Sequence, residues 1–153
     1  LWEANMEVLD PEHSGINLFD ENWKIYSRNS GHTGHFIGEH AQVKDSMITD
    51  GCVIKGNVDH SVLFSGVVVE EGACVEDAVV MGNTVIKRGA KVMHCIVAEN
   101  AVIGQDAVVG MKPEDGTTGD VATIAPYVTI GDRAVIGPKA MVYNDVEEGQ
   151  EQC

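Results

Sequence analysis

Aliphatic residues stand at Ile37, Val43, Ile48, Ile54, Val58, Leu63, Val69, Val75, Val80, Ile86, Val92, Val97, Ile103 and Val109, mostly five or six residues apart. Taken in threes they recur every 17 residues: Leu63 to Val80 to Val97, Val69 to Ile86 to Ile103, and Val75 to Val92 to Val109. The turn holding Ile54 and Val58 is two residues short. After an interruption the rhythm returns as a step of six at Ile124, Ile130, Ile136 and Val142. A second column sits two positions before the first and is made of small residues, among them Ala41, Ser46, Cys52, Gly56, Ser61, Ala73, Ala78, Ala90, Cys95, Ala101, Ala107, Ala122, Ala134 and Ala140. Val67, Thr84 and Val128 are its larger members.

An amphipathic helix would repeat its apolar residues every 3.6 positions, and a meander would show irregular strand lengths with Asn-Gly-type turns. Neither fits a period near six. That period predicts a short strand and a turn, three times per coil, so that the chain winds into a triangular prism whose coils hydrogen-bond at strand spacing. One coil cannot bury its own face, so stability comes from stacking. The expected fold is all-β: a hexapeptide-repeat solenoid, a parallel β-helix of about five or more coils over residues 36–142. Ile54, Leu63, Val80, Ile86, Val97 and Ile103 should point inward. Gly51, Gly66, Gly72, Gly89, Gly104 and Gly131 fall at or near corners, where a positive φ is cheap for glycine.

Three segments stand outside the coils. Residues 1–35 form an arm with a short amphipathic helix from Leu1 to Leu9, stopped by Asp10-Pro11, and then an extended piece carrying Phe19, Trp23, Ile25 and Tyr26. Residues 110–121 read as a polar loop ejected from the coil, and 143–153 as an acidic tail. Trp2, Met6, Phe19 and Trp23 are expected to be exposed and to seek a partner. The open ends of the solenoid invite pairing or capping. Both point to a homo-oligomer.

Composition narrows this picture. Of 153 residues 44% are hydrophobic but only 5% aromatic, so the core must be aliphatic. The net charge of −14 argues against nucleic acid and anionic membranes as partners. No apolar run approaches the ~18 residues of a membrane helix. The four cysteines, Cys52, Cys74, Cys95 and Cys153, lack metal-ligand spacing and read as reduced thiols of a cytoplasmic protein. The chain opens on Leu1 with no signal peptide, so a piece of a larger protein is expected.

The chemistry-bearing candidates are few. Lys87, Arg88, Lys91 and His94 gather basic groups at one coil corner and the strand after it, where a guanidinium and an ammonium on a rigid scaffold could take a phosphate. The plainer alternative is a solvated corner. His13, His32, His35, His40 and His60 have a weaker claim to chemistry than this corner, and His32 and His35, which flank Gly34 in a linker, are adequately explained as flexible-turn residues. A stand-alone hexapeptide acyltransferase would need a histidine base, for which His60 or His94 could serve.

The stretches Leu1-Trp2-Glu3-Ala4-Asn5-Met6, Leu18-Phe19-Asp20 with Trp23-Lys24-Ile25-Tyr26, and above all residues 51–67, which contain the short coil, resemble the C-terminal region of glucose-1-phosphate adenylyltransferase (ADP-glucose pyrophosphorylase). The resemblance covers almost the whole chain and thins after residue 110. It implies a left-handed β-helix following a Rossmann-like catalytic domain that uses Mg²⁺ and ATP to make ADP-glucose and pyrophosphate for glycogen synthesis. The G-G-x-G-x-R-L nucleotide loop of that domain is absent here, as are its sugar-phosphate lysine and metal-binding aspartates. No catalytic residue carries over, no cofactor or metal is expected in this piece, and it should be inert alone. The resemblance further implies tetramer assembly, contact with the catalytic domain, and sugar-phosphate or adenylate effectors, for which Arg88, Lys91, His94 and Lys87 are the candidate ligands. A non-catalytic paralogue and another sugar-nucleotide pyrophosphorylase remain alternatives.

Overall fold

Every strand among the described residues is two or three residues long, and each is followed by a corner, so the backbone there spirals. In the computed structural model, which describes residues 1–18, 20–24, 26, 31–114 and 120–153, the strands fall into three parallel sheets. The first face stacks β1 (Phe36–Ile37), β4 (Val53–Ile54), β7 (Val68–Val69), β10 (Val85–Ile86), β13 (Val102–Ile103) and β16 (Thr129–Ile130). The second stacks β2 (Gln42–Lys44), β5 (Asn57–Asp59), β8 (Cys74–Glu76), β11 (Lys91–Met93), β14 (Val108–Val109), β17 (Val135–Ile136) and β19 (Glu151–Gln152). The third stacks β3 (Met47–Ile48), β6 (Val62–Leu63), β9 (Val79–Val80), β12 (Cys95–Val97), β15 (Ala122–Ile124) and β18 (Met141–Val142). This is a parallel β-solenoid of about seven turns, six of them complete.

The 17-residue rhythm is the register itself: Val68 pairs with Val85 and Val85 with Val102. The short turn appears as a 15-residue offset, Val53 pairing with Val68 and Asn57 with Gln42. Coils are tied by amide-to-carbonyl bonds such as Val53 N to Val67 O at 2.9 Å and Val85 N to Ala101 O at 3.0 Å. Ile54, Leu63, Val80, Ile86, Val97 and Ile103 are all fully buried, and the small column packs among them. Between the second and third faces the chain turns on a single residue with positive φ: Asp45, His60, Asp77 and His94, at 45°, 43°, 51° and 45°. Asp and His tolerate this conformation better than branched residues do.

Two expectations need correction. Trp2 and Met6 are not exposed. The helix α1 (Trp2–Glu7) lies against β9, Met6 is buried, and Trp2 is half-buried with its Nε1 donating to the Asp77 carbonyl at 2.7 Å. The outward-facing Val62 and Val79 of the third face are buried as well. They supply the apolar ground on which the arm settles, and this outweighs exposure of Trp2 and Met6 to water. Further along, the arm crosses the third-to-first corner. There the His32 Cβ lies 2.7 Å from where a Cβ on Gly51 would stand, so only glycine admits the crossing. Trp23 is exposed at 74%, as expected. Phe19 and Ile25 lie outside the described residues.

The second correction concerns 143–153. These residues are not a free tail but the start of a seventh turn: Val146 is buried and bridges Ile130, and β19 pairs with β17. The unpaired amides of the sixth turn are thereby met by backbone carrying Asp145, Glu147, Glu148 and Glu151, and such charges discourage further edge pairing. The loop leaves the solenoid at Gly110 and rejoins it at β15, its residues 115–119 lying outside the described residues.

Candidate functional site

The four basic candidates share the fourth turn but not one locus. Lys87 and Arg88 occupy the corner between the first and second faces, Lys91 opens β11 on the second face, and His94 is the corner at that face's far edge. Arg88 faces two carboxylates from the turn below. Its Nη2 donates to Glu71 Oε2 at 2.9 Å, and its backbone N–H donates to Glu70 Oε2 at 2.9 Å. His94 is 3% exposed and lies under Trp2, ring centroids 4.5 Å apart, its Nε2 buried without a hydrogen-bond partner among the described residues.

The Arg88 corner borders a depression whose origin is legible in the chain. From Ile54 to Val58 the path between faces is cut to Lys55, Gly56 and Asn57, so the second turn has no projecting corner where its neighbours do. Gly56 is drawn so far in that a Cβ there would stand 2.4 Å from the Ala73 carbonyl and 2.7 Å from that of Glu70. The missing corner leaves a cavity of about 310 Å³ lined by Phe36, Gly38, Glu39, His40, Lys55 and Glu71. A second of about 280 Å³ is lined by Lys55, Glu70, Glu71 and Arg88. Lys55 borders both. Sequence reasoning found the short turn and the basic corner separately and missed Lys55. The signal was available, since a two-residue deficit must open a notch beside the corner stacked on it.

A third constellation was not foreseen. Along the second-to-third corners, His60 Nδ1 meets Asp77 Oδ1 at 2.7 Å, with the His60 side chain 45% exposed. From the foot of the polar loop Lys112 reaches back to Glu76, and its Nζ lies 3.8 Å from Asp77 Oδ2. The hydrogen bond that Lys112 donates to the Glu76 carboxylate raises its pKa above the ordinary lysine value. Arm, loop and corner residues therefore converge on one edge of the prism. No group of three or more metal-ligating side chains occurs among the described residues, and all four cysteines are free. Burial pushes the Cys95 thiol up to about 12, and desolvation raises Cys52 and Cys74 in the same direction. Deprotonated, nucleophilic thiolates are therefore disfavoured at these positions.

The repeat, the parallel stacking and the two-column core define a hexapeptide solenoid protein, and the chain belongs to the family described as GlmU-like, C-terminal hexapeptide, which matches residues 33–123. Over 78 residues it is 55% identical to the glucose-1-phosphate adenylyltransferases of Bacillus mycoides (strain KBAB4) and Bacillus cereus (strain ATCC 10987), a stretch covering 51% of this chain and 20% of those relatives. The matched stretch lies at their C-terminal end, as the short coil and the arm implied. The chain spans about a fifth of the length of these relatives. Among solved structures, the acetyltransferase domain of PglB from Neisseria gonorrhoeae FA1090, in complex with acetyl coenzyme A, matches with a TM-score of 0.53 and 21% identity, over 78% of this chain and 54% of that one. This likeness concerns the fold. No helix among the described residues is long and apolar enough to cross a membrane.

Proposed function

We propose that this chain is the C-terminal regulatory and assembly domain of a cytoplasmic enzyme that joins ATP and glucose 1-phosphate into ADP-glucose and pyrophosphate for glycogen synthesis. The observation that carries the reading is the 55% identity to the C-terminal end of glucose-1-phosphate adenylyltransferases, on a solenoid whose second turn is two residues short. In that enzyme Mg²⁺ and ATP would belong to a separate catalytic domain, and this solenoid would contribute no group to the chemistry. Its part is to hold subunits together in a homo-oligomer, a tetramer by resemblance, and to present cations to a sugar-phosphate or adenylate effector. Lys87 and Arg88, beside Lys55 in the notch, are the cations best placed. Lys91 and His94 stand further along the face, and His94 would reach an anion only if Trp2 moved.

The test is made in the full-length enzyme, by following ADP-glucose formation against activator and inhibitor concentration. Arg88→Ala and Lys87→Ala should each shift an effector midpoint roughly fivefold or more while leaving the unstimulated rate within about twofold, because no transition-state contact is removed. Unchanged effector curves in both variants would return the corner to a solvated surface.

One observation favours an acyltransferase as the second reading: a half-exposed imidazole oriented by a carboxylate, His60 on Asp77, is the arrangement a general base requires. Acyl transfer from acetyl coenzyme A that is lost in His60→Ala would establish it.

A further inference from the structure

The rim of the notch left by the short second turn carries unspent hydrogen-bonding capacity. The side chains of Glu39, His40 and Lys55 are exposed and make no hydrogen bond or ion pair among the described residues. Glu71 commits Oε2 to Arg88 and leaves Oε1 uncommitted. One wall is the ring of Phe36, 56% exposed and without an aromatic partner among the described residues. Two glycines keep the space open. Gly56 is drawn inward, and at Gly38 an added Cβ would already stand 3.4 Å from the Ile54 carbonyl and from the Lys55 Cγ.

A flat apolar wall edged by carboxylates, an ammonium and an imidazole suits a ligand with an apolar face and hydroxyls around its rim. A pyranose ring has that form. Its C–H face stacks on a phenyl ring, and each hydroxyl can donate to a carboxylate or accept from an ammonium. The charges at the Phe36 end select against ions. Two carboxylates, Glu39 and Glu71, face one ammonium, Lys55, in a chain of net charge −14, so an anion gains little there. A bare cation is opposed by Lys55. A neutral polyol uses both signs. The cavity of about 310 Å³ stands at the lower end of the roughly 300–1,000 Å³ range of small-molecule sites. The cavity of about 280 Å³ beside it shares Lys55 and Glu71, so a ligand of linked rings can run from one into the other.

We propose that this notch binds a neutral saccharide chain, one ring stacked on Phe36 and its hydroxyls held by Glu39, Lys55 and Glu71. The class of ligand follows from the notch itself. Its identity as an α-glucan rests on the proposed function: binding there would hold the enzyme beside the polymer whose glucosyl donor it supplies. The site is distinct from the anion corner in chemistry, since Lys87 and Arg88 lie beyond its far end and contribute no group to the Phe36 cavity. With one side of the ligand left in water, affinity should be modest, with dissociation constants of about 0.1–10 mM.

The experiment titrates this chain, isotope-labelled for amide NMR, with maltotriose from about 0.1 to 30 mM, a range that brackets such affinities. Far-UV circular dichroism verifies the fold of each variant. Amides of residues 36–40, 55–56 and 70–72 should shift saturably, and those of the second face should not. Phe36→Ala removes the platform and Gly38→Leu fills the space, so each should weaken binding about fivefold or more. Inorganic phosphate over the same range should neither move these amides nor displace the saccharide. No saturable shift with maltotriose or with β-linked cellotriose would overturn the proposal. So would binding that survives both Phe36→Ala and Gly38→Leu, or binding that phosphate displaces, which would make the notch an anion site. Cellotriose bound with maltotriose refused would support the saccharide site and overturn its assignment to an α-glucan. Saccharide binding is read on this chain and effector response on the full-length enzyme, so the failure of either is told apart from the failure of the other.

Discussion

The indole of Trp2 covers the imidazole of His94 at a centroid separation of 4.5 Å and an interplanar angle of 60°, while its Nε1 is anchored on the carbonyl of Asp77. One residue of the arm thus makes a ring contact to the fourth turn and a hydrogen bond to the third. Replacing Trp2 by Ala removes both, which should cost about 2–3 kcal/mol of arm docking. Hydrogen exchange should show the amides of residues 2–8 losing protection, with those of the inner strands unchanged. Loss of protection in the strands as well would mean that the arm is part of the cooperative core.

Val80 has no accessible surface, and its neighbours on the inward column are Leu63 and Val97. An aspartate there would place an unpaired carboxylate among aliphatic side chains, which costs several kcal/mol, a large fraction of the stability of a domain this size. Val80→Asp should fail to show a cooperative thermal transition. An unaltered melting temperature would mean that the column faces another way.

Gly56 and Gly72 separate two reasons for glycine. At Gly56 the obstacle is space: the carbonyl of Ala73 lies 2.4 Å from an added Cβ, and backbone cannot retreat cheaply. At Gly72 φ is +73° but the nearest atom is 3.8 Å from that Cβ. Gly56→Ala should therefore lower stability by about 2–4 kcal/mol and Gly72→Ala by only about 1 kcal/mol, as read from chemical denaturation. Equal costs would show that the short corner is not tightly drawn in.

How much of this was legible depends on what each feature answers to. The inward column was readable because an interior of stacked triangles admits only aliphatic residues at one phase, and Ile54, Leu63 and Ile86 obey it without exception. The grouping of Arg88 with His94 failed as geometry because six residues of this chain cross a whole face, so nearness in sequence becomes opposite edges of a sheet. The burial of Trp2 and Met6 had a signal that went unread. Val62 and Val79 stand beside Leu63 and Val80, and apolar residues at both phases of a strand mean that both of its sides are covered. Nothing in Glu151-Gln152 marks a strand, because there the backbone ladder alone makes one.

Alkaline stability should follow the buried thiols. The Cys95 pKa is raised by burial from 9.0 to about 12, so the native state holds a proton that the unfolded chain releases between those values. The stability it contributes is fully present below pH 9 and is lost as pH rises toward 12, at up to about 1.4 kcal/mol per pH unit. Cys52 and Cys74 are raised in the same direction and add to the slope. Denaturant midpoints measured from pH 8 to pH 11 should fall more steeply for the parent chain than for Cys95→Ala, whose side chain suits the small column. Identical slopes would remove Cys95 as the cause.

Removing residues 143–153 distinguishes a tail from a turn. A solvated acidic tail could be cut with no loss, and the lower net charge would if anything help the compact state. As a seventh turn the segment has structural work: Val146 is buried against Ile130, Gly131 N donates to Val146 O at 2.7 Å, Val135 N to Gln150 O at 2.8 Å, and Gly137 N to Gln152 O at 2.7 Å. The truncated chain would expose Ile130, Ile136 and Val142 at the end of the stack, together with a row of unpaired amides and no charges to guard them. We expect a loss of about 2–4 kcal/mol in denaturant titrations, from the removed apolar contact and the unmet backbone groups. Light scattering should also show concentration-dependent aggregation that the intact chain does not. A truncated chain as stable and as soluble as the parent would show that the sixth turn ends the solenoid by itself.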